Sequence, residues 1–118
     1  MSRRTRERRL LAKERWPLLT NMMGCYFNQD LNLLYGSLAG AMAAAAADGP
    51  VEHIRAILRE WRDWNGSDGA VDDIRPMLEQ GFAVDLLFRT PLEARHFMNR
   101  VYDELLLRVK AETRWDAP

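Results

Sequence analysis

The amino-acid sequence predicts an all-α fold, a single-domain irregular antiparallel bundle of about five helices. Three observations carry that expectation. Apolar residues recur at the helical period in Val51, Ile54, Ile57, Leu58, Trp61 and Trp64, and again in Ala94, Phe97, Met98, Val101, Leu105 and Val109. Ser37, Gly49 and Thr90 stand where helix starts need them, and no stretch shows a convincing strand alternation. At 118 residues the chain is one domain by length, long enough to bury about two thirds of its unfolded surface without a covalent staple.

Each element has its own signal. Residues 1–15 are helix-compatible around Leu10, Leu11 and Ala12 but poor in apolar side chains, so they read as a mobile basic arm ahead of a domain spanning 16–118. Pro17 fits the first turn of a helix near 17–27, where its missing N–H breaks no bond, with Leu18, Leu19, Met22, Met23, Tyr26 and Phe27 along adjacent rows of one face. Asn28 to Gly36 reads as a connector whose leucines are too apolar to be fully solvated. Ser37 caps an alanine-rich helix near 37–47, whose small side chains let neighbours approach closely. A helix near 50–64 follows the Asp48-Gly49-Pro50 break, and the cluster Asn65-Gly66-Ser67-Asp68-Gly69 is a turn. A helix near 71–80 is expected to end on Gly81 in a left-handed conformation, with Pro76 tolerated only if the helix proper begins near Asp73. Phe82 to Phe88 reads as irregular, and Thr90-Pro91-Leu92-Glu93 opens a last helix near 91–110. Phe27, Ile54, Leu58, Trp61, Phe97 and Val101 are expected to share one core.

Composition narrows the classes of function. The chain is 47% hydrophobic and 29% charged, an ordinary globular balance. No apolar run has the length of a membrane span, and the basic start lacks a secretory core, so the cytoplasm is the expected compartment and no membrane partner is expected. The lone Cys25 excludes an internal disulfide and reads as a buried small hydrophobe. The formal charge of zero hides an asymmetry: residues 1–15 hold seven basic groups against Glu7 and Glu14, a net of +5, which leaves −5 on the rest. An acidic domain with a basic segment suits two kinds of partner, a basic protein or, through residues 3–15, nucleic acid.

No local pattern argues for catalysis. His53 and His96 lie in no metal-ligand spacing, so no metal or cofactor is expected, and Asp72-Asp73 at a helix start is explained by the helix dipole. Neither a phosphate loop nor a nucleophile elbow is present. The expectation is therefore a binding protein and not an enzyme. Trp16, Trp61, Trp64, Trp115 and Tyr35 are more aromatics than a small core easily encloses, which makes them candidate interface anchors, with ordinary core as the alternative.

The most distinctive stretch is Tyr26-Phe27-Asn28-Gln29-Asp30, two aromatics beside three hydrogen-bonding side chains where an apolar helix ends. On physics alone, Tyr26 and Phe27 are core and Asn28 or Asp30 caps a turn. The run from Trp16 through Leu31 resembles the opening of the small helical immunity proteins of bacterial contact-dependent growth inhibition. That family carries a tyrosine-phenylalanine-histidine-glutamine-aspartate-tryptophan string here, with Asn28 replacing the histidine and Leu31 the tryptophan in this chain. The resemblance continues loosely to about residue 108. It implies a cytoplasmic inhibitor that binds a cognate toxin domain, often a nuclease, and occludes it. The site residues it implies are Tyr26, Phe27, Asn28, Gln29 and Asp30.

Beside them, Asp30, Asp48, Glu52, Glu60, Asp63, Asp68, Asp72 and Asp73 are the candidate acidic surface for a basic cleft. The rival reading is a nucleic-acid-binding or regulatory helical protein using the arginine-rich start. Nothing in the sequence sets an oligomeric state.

Overall fold

The computed structural model describes the backbone of residues 3–116 and the side chains of residues 3–113. The described residues form α1 (Arg3–Arg15), α2 (Pro17–Tyr26), α3 (Leu31–Tyr35), α4 (Leu38–Ala47), α5 (Val51–Asn65), a π-helical turn (Met77–Gly81) and α6 (Pro91–Asp116). No strand occurs among them.

The break between α1 and α2 follows from Pro17. A proline disfavours helical backbone in the residue before it. Trp16 accordingly sits at φ −133°, ψ 60°, and Pro17 opens α2. No local side chain caps α2. Instead Glu60 on α5 accepts the backbone N–H groups of Leu18 and Leu19 on one carboxylate oxygen, each at 2.9 Å. One turn further along α5, Asp63 accepts the Trp16 indole N–H at 2.8 Å. A carboxylate at a helix N-terminus satisfies orphan donors and meets the positive end of the dipole. Two acidic side chains of α5 thus fix where α2 begins.

Later helix ends are closed by both local and distant side chains. Ser37 accepts the Gly40 N–H at 3.0 Å as the N-cap of α4. Gly40 is sterically required, because a Cβ there would stand 2.2 Å from the Tyr35 carbonyl oxygen. Arg108 of α6 donates to the carbonyls of Ala46 and Gly49 at 2.9 and 2.7 Å, which ends α4 and ties it to α6. Arg95 holds the 66–69 turn by donating to Asn65 Oδ1 and to the Gly69 carbonyl. Thr90 accepts the Glu93 N–H at 3.1 Å to start α6.

One apolar cluster runs through the molecule and contains all six residues expected to share a core. Phe27 meets Phe97 edge-on at 5.0 Å, while Phe82 lies between Trp16 at 6.2 Å and Trp64 at 5.7 Å. Edge-to-face geometry at such separations adds about 0.5–1.5 kcal/mol to burial itself.

Several elements depart from the sequence reading. The basic segment is helix α1, which packs on the π turn and on α2 and ends at the boundary drawn at residue 15. Its small contact face suffices because Ala12 is fully buried and Arg8 donates to Gln80 across the junction. The 28–36 connector contains the short helix α3, which buries Leu31 but leaves Leu33 and Leu34 exposed.

Of the helix expected at 71–80, only the end is helical. A helix from residue 71 would drive the Pro76 ring into the carbonyl of residue 72. Asp73 instead accepts the Arg75 N–H at 3.0 Å, and the chain then closes the π turn with the Phe82 N–H on Met77 O at 3.0 Å. Gly81 is not left-handed; positive φ falls on Gly36, Gly49 and Ala83. Cys25 is exposed rather than buried, since the buried face of α2 is set by Leu19, Met22 and Met23. The last helix continues past residue 110 to Asp116.

Two outcomes follow. Phe97→Ala should lower the unfolding free energy by about 3–5 kcal/mol in denaturant titration, because the ring is buried between Phe27 and Phe88. A loss below about 1 kcal/mol would place that face in solvent. Removal of residues 1–15 should leave a cooperative melt at a lower midpoint, since α1 contributes only Ala12 to the fully buried core. Loss of cooperative melting would make α1 part of the folding unit.

Candidate functional site

The stretch Tyr26 to Asp30 forms the corner between α2 and α3, and its members divide into those that build the corner and those it presents. Phe27 is fully buried against Phe97, and its carbonyl accepts the Asp85 N–H at 2.9 Å. Asn28 donates its amide to the carbonyls of Gly24 and Cys25 at 3.2 and 3.1 Å and accepts the Asp30 N–H at 2.9 Å. That side chain satisfies the open end of α2 and forms an Asx turn into α3. Gln29 and Asp30 are exposed. The Asp30 carboxylate makes no capping bond although the residue occupies the N-cap position of α3.

Tyr26 is half-buried and turned the other way. Its hydroxyl donates to Asp48 at 2.6 Å, and its ring lies 5.4 Å from that of Tyr35. Burial first, and then the hydrogen bond to the Asp48 carboxylate, push the phenol well above its ordinary value of 10.0. Tyr26 therefore remains a neutral donor linking α2 to the end of α4.

The carboxylates singled out in the sequence are dispersed. Asp48 holds Tyr26, Glu52 pairs with Arg55, Glu60 caps α2, and Asp63 and Asp68 meet Arg15. Asp73 is bound by the Arg75 guanidinium through both oxygens at 2.9 and 2.8 Å, and these bonds, joined by the Arg75 backbone N–H, hold its carboxyl below the usual range. Asp72 is exposed.

The structure adds a feature the sequence reading missed. Because Phe27 O and Asp85 N–H are bonded, the irregular segment 83–88 lies directly beside the corner. A groove of about 450 Å³ follows that segment and is lined by Asp73, Glu79, Asp85, Arg75, Leu86 and Leu87 among others. Arg75 is committed to Asp73, while Glu79 and Asp85 have no ion-pair partner among the described residues. Leu86, Leu87 and Phe88 make no backbone-to-backbone hydrogen bond among the described residues, and Leu87 is 84% exposed.

The expected aromatic anchors lie elsewhere. Trp16, Trp61 and Trp64 are core residues, Tyr35 is half-buried on Tyr26, and the Trp115 side chain lies outside the described residues. The apolar groups that reach solvent near the corner are aliphatic: Leu33 at 85%, Leu34 at 59% and Leu87. One signal could have found Leu33. A five-residue helix that buries Leu31 cannot also turn Leu33 inward, since residues two apart face away from each other.

The family model described as CdiI immunity protein matches residues 15–105. No curated protein and no solved structure matches the chain. Among the described residues, no helix is long and apolar enough to cross a membrane.

Tyr26→Phe should cost about 1 kcal/mol near neutral pH, through loss of the bond to Asp48. The sign with pH is fixed by the raised phenol. Its contribution is fully present below the ordinary value of 10.0 and is lost as pH rises above it, so the gap between wild type and variant should close in alkali. A gap that widens there would contradict the assignment.

Proposed function

The chain belongs to the CdiI immunity protein family, and on that premise we propose that it neutralises its cognate toxin domain with the corner between α2 and α3 and the adjoining 83–88 segment. As an immunity protein it has a toxin for a partner. The finer reading is that the toxin is a nuclease and that the corner blocks its active-site cleft. Tyr26, Phe27 and Asn28 shape the site, and Gln29 and Asp30 touch the toxin.

The observation that carries this reading is the division within the motif. Three residues are spent on building a rigid turn whose remaining two polar side chains project into solvent. Around them lie the ingredients of an interface: exposed Leu33, Leu34 and Leu87, and the carboxylates of Glu79 and Asp85, which have no ion-pair partner among the described residues. Unpaired acidic groups steer a basic cleft into place, and the leucines, once desolvated, slow dissociation. A nuclease cleft shaped for phosphate has the complementary sign. Occlusion of that cleft requires no chemistry from the immunity protein.

Asp30→Asn tests the reading at one atom pair. The side chain has no capping role, so the melting temperature should stay put, while affinity for the toxin domain encoded beside this chain should fall by about 2 kcal/mol or more if the carboxylate meets a buried cation. Wild-type association should slow as salt is raised. Unchanged affinity in Asp30→Asn would remove the residue from the interface, and failure of the wild-type protein to bind or protect against that toxin would overturn the assignment.

A further inference from the structure

The cations of α1 fall into two groups. Arg3 pairs with Glu7, Arg8 donates to Gln80, and Arg15 reaches Asp63 and Asp68. Arg4, Arg6, Arg9 and Lys13 have no ion-paired partner among the described residues, and the spacing of three and four residues puts Arg6, Arg9 and Lys13 on one stripe of the helix.

The inner end of that stripe opens on a pocket of about 340 Å³ between α1, α2 and the 81–83 stretch. Arg9, Lys13, Thr20, Asn21 and Cys25 line it with Gly24 and residues 81–83, and no carboxylate contributes. The Nε–H of Arg9 is buried without a partner. A buried guanidinium donor lacking an acceptor is costly, and a concavity lined by two cations with no counter-charge is suited to an anion.

We infer that this pocket binds a phosphate group, with Arg9 and Lys13 as its charged ligands. A guanidinium presents forked donors to phosphate oxygens and an ammonium adds a point charge. The polar groups of Thr20 and Asn21 stand at the same wall. Arg6 to Lys13 covers about 10 Å of helix at 1.5 Å per residue, long enough for the stripe to follow more than one phosphate of a single-stranded backbone. The source that fits the whole stripe is therefore a phosphodiester backbone, whereas the pocket alone would take free phosphate. This site goes beyond the toxin-binding reading, and of its lining only Ala83 belongs to the 83–88 segment.

The test is a titration of the full chain, in low salt, with inorganic phosphate and separately with a single-stranded RNA oligonucleotide. The readouts are the Arg9 Nε–H resonance and fluorescence anisotropy. RNA binding should be saturable, and Lys13→Gln and Arg9→Gln together should weaken it at least tenfold. Its salt slope should fall by about 1.4, at about 0.7 for each phosphate that is no longer neutralised. Lys13 is exposed, so Lys13→Gln alone supplies a variant whose folding is not in question. Arg55→Gln, on α5 and already paired with Glu52, should leave the affinity unchanged.

A phosphate response at Arg9 without RNA binding would support the pocket and assign its ligand as free phosphate. Absence of both responses, or RNA binding indifferent to Arg9 and Lys13, would overturn the inference. Toxin affinity should be the same in the double variant, so failure here is separable from failure of the immunity assignment.

Discussion

The Glu60 carboxylate at the start of α2 is the contact on which the placement of everything else depends. Pro17 forces Trp16 out of helical backbone and leaves the first donors of α2 without a local cap. Glu60 takes two of them, Asp63 takes the Trp16 indole, and the buried Trp16 ring then packs on Phe82. Two side chains one turn apart on α5 therefore set the origin of α2 and the angle at which α1 leaves it. The direction in which α2 runs from that origin decides where Phe27 meets Phe97, ten residues after Pro17, and hence where the polar corner emerges.

That corner shows how one short motif serves packing and display together. Phe27 anchors it in the core, Asn28 closes α2 by bonding two carbonyls and one N–H, and Tyr26 ties the same turn to Asp48 beyond α4. Restraints on three successive residues leave little freedom to the two that follow. Ordering them on a partner then costs less conformational entropy than ordering a loose loop, which is the benefit of preorganisation. Asn28 fills the position of the histidine in the family string, and its short amide reaches both carbonyls because they lie three and four residues back along the helix.

Much of this was legible in the sequence. The 3.6-residue stripes of α5 and α6 identified the core, and the caps at Ser37 and Thr90 were visible because each acts within three residues of itself. What stayed hidden was non-local. Glu60 and Asp63 read as surface acids because their partners lie more than forty residues away. The burial of Trp16, Trp61 and Trp64 follows from convergence of α1, α2, α5 and the segment after the π turn, which no single-helix pattern reveals. Gly40 was lost in an alanine run, although a carbonyl of α3 makes it sterically necessary. The motif was found by resemblance, but which of its residues face outward needed the bond between Phe27 and Asp85 to be seen.

The central claim is that the corner and the segment beside it form the toxin-facing surface. Amide hydrogen exchange of the chain, alone and saturated with the cognate toxin domain, tests it most directly. The account predicts protection at residues 29–34 and 86–88 beyond what the turn and α3 already give, with α1 unchanged. Protection confined to α1 or to the exposed face of α6, with the corner exchanging as before, would contradict it.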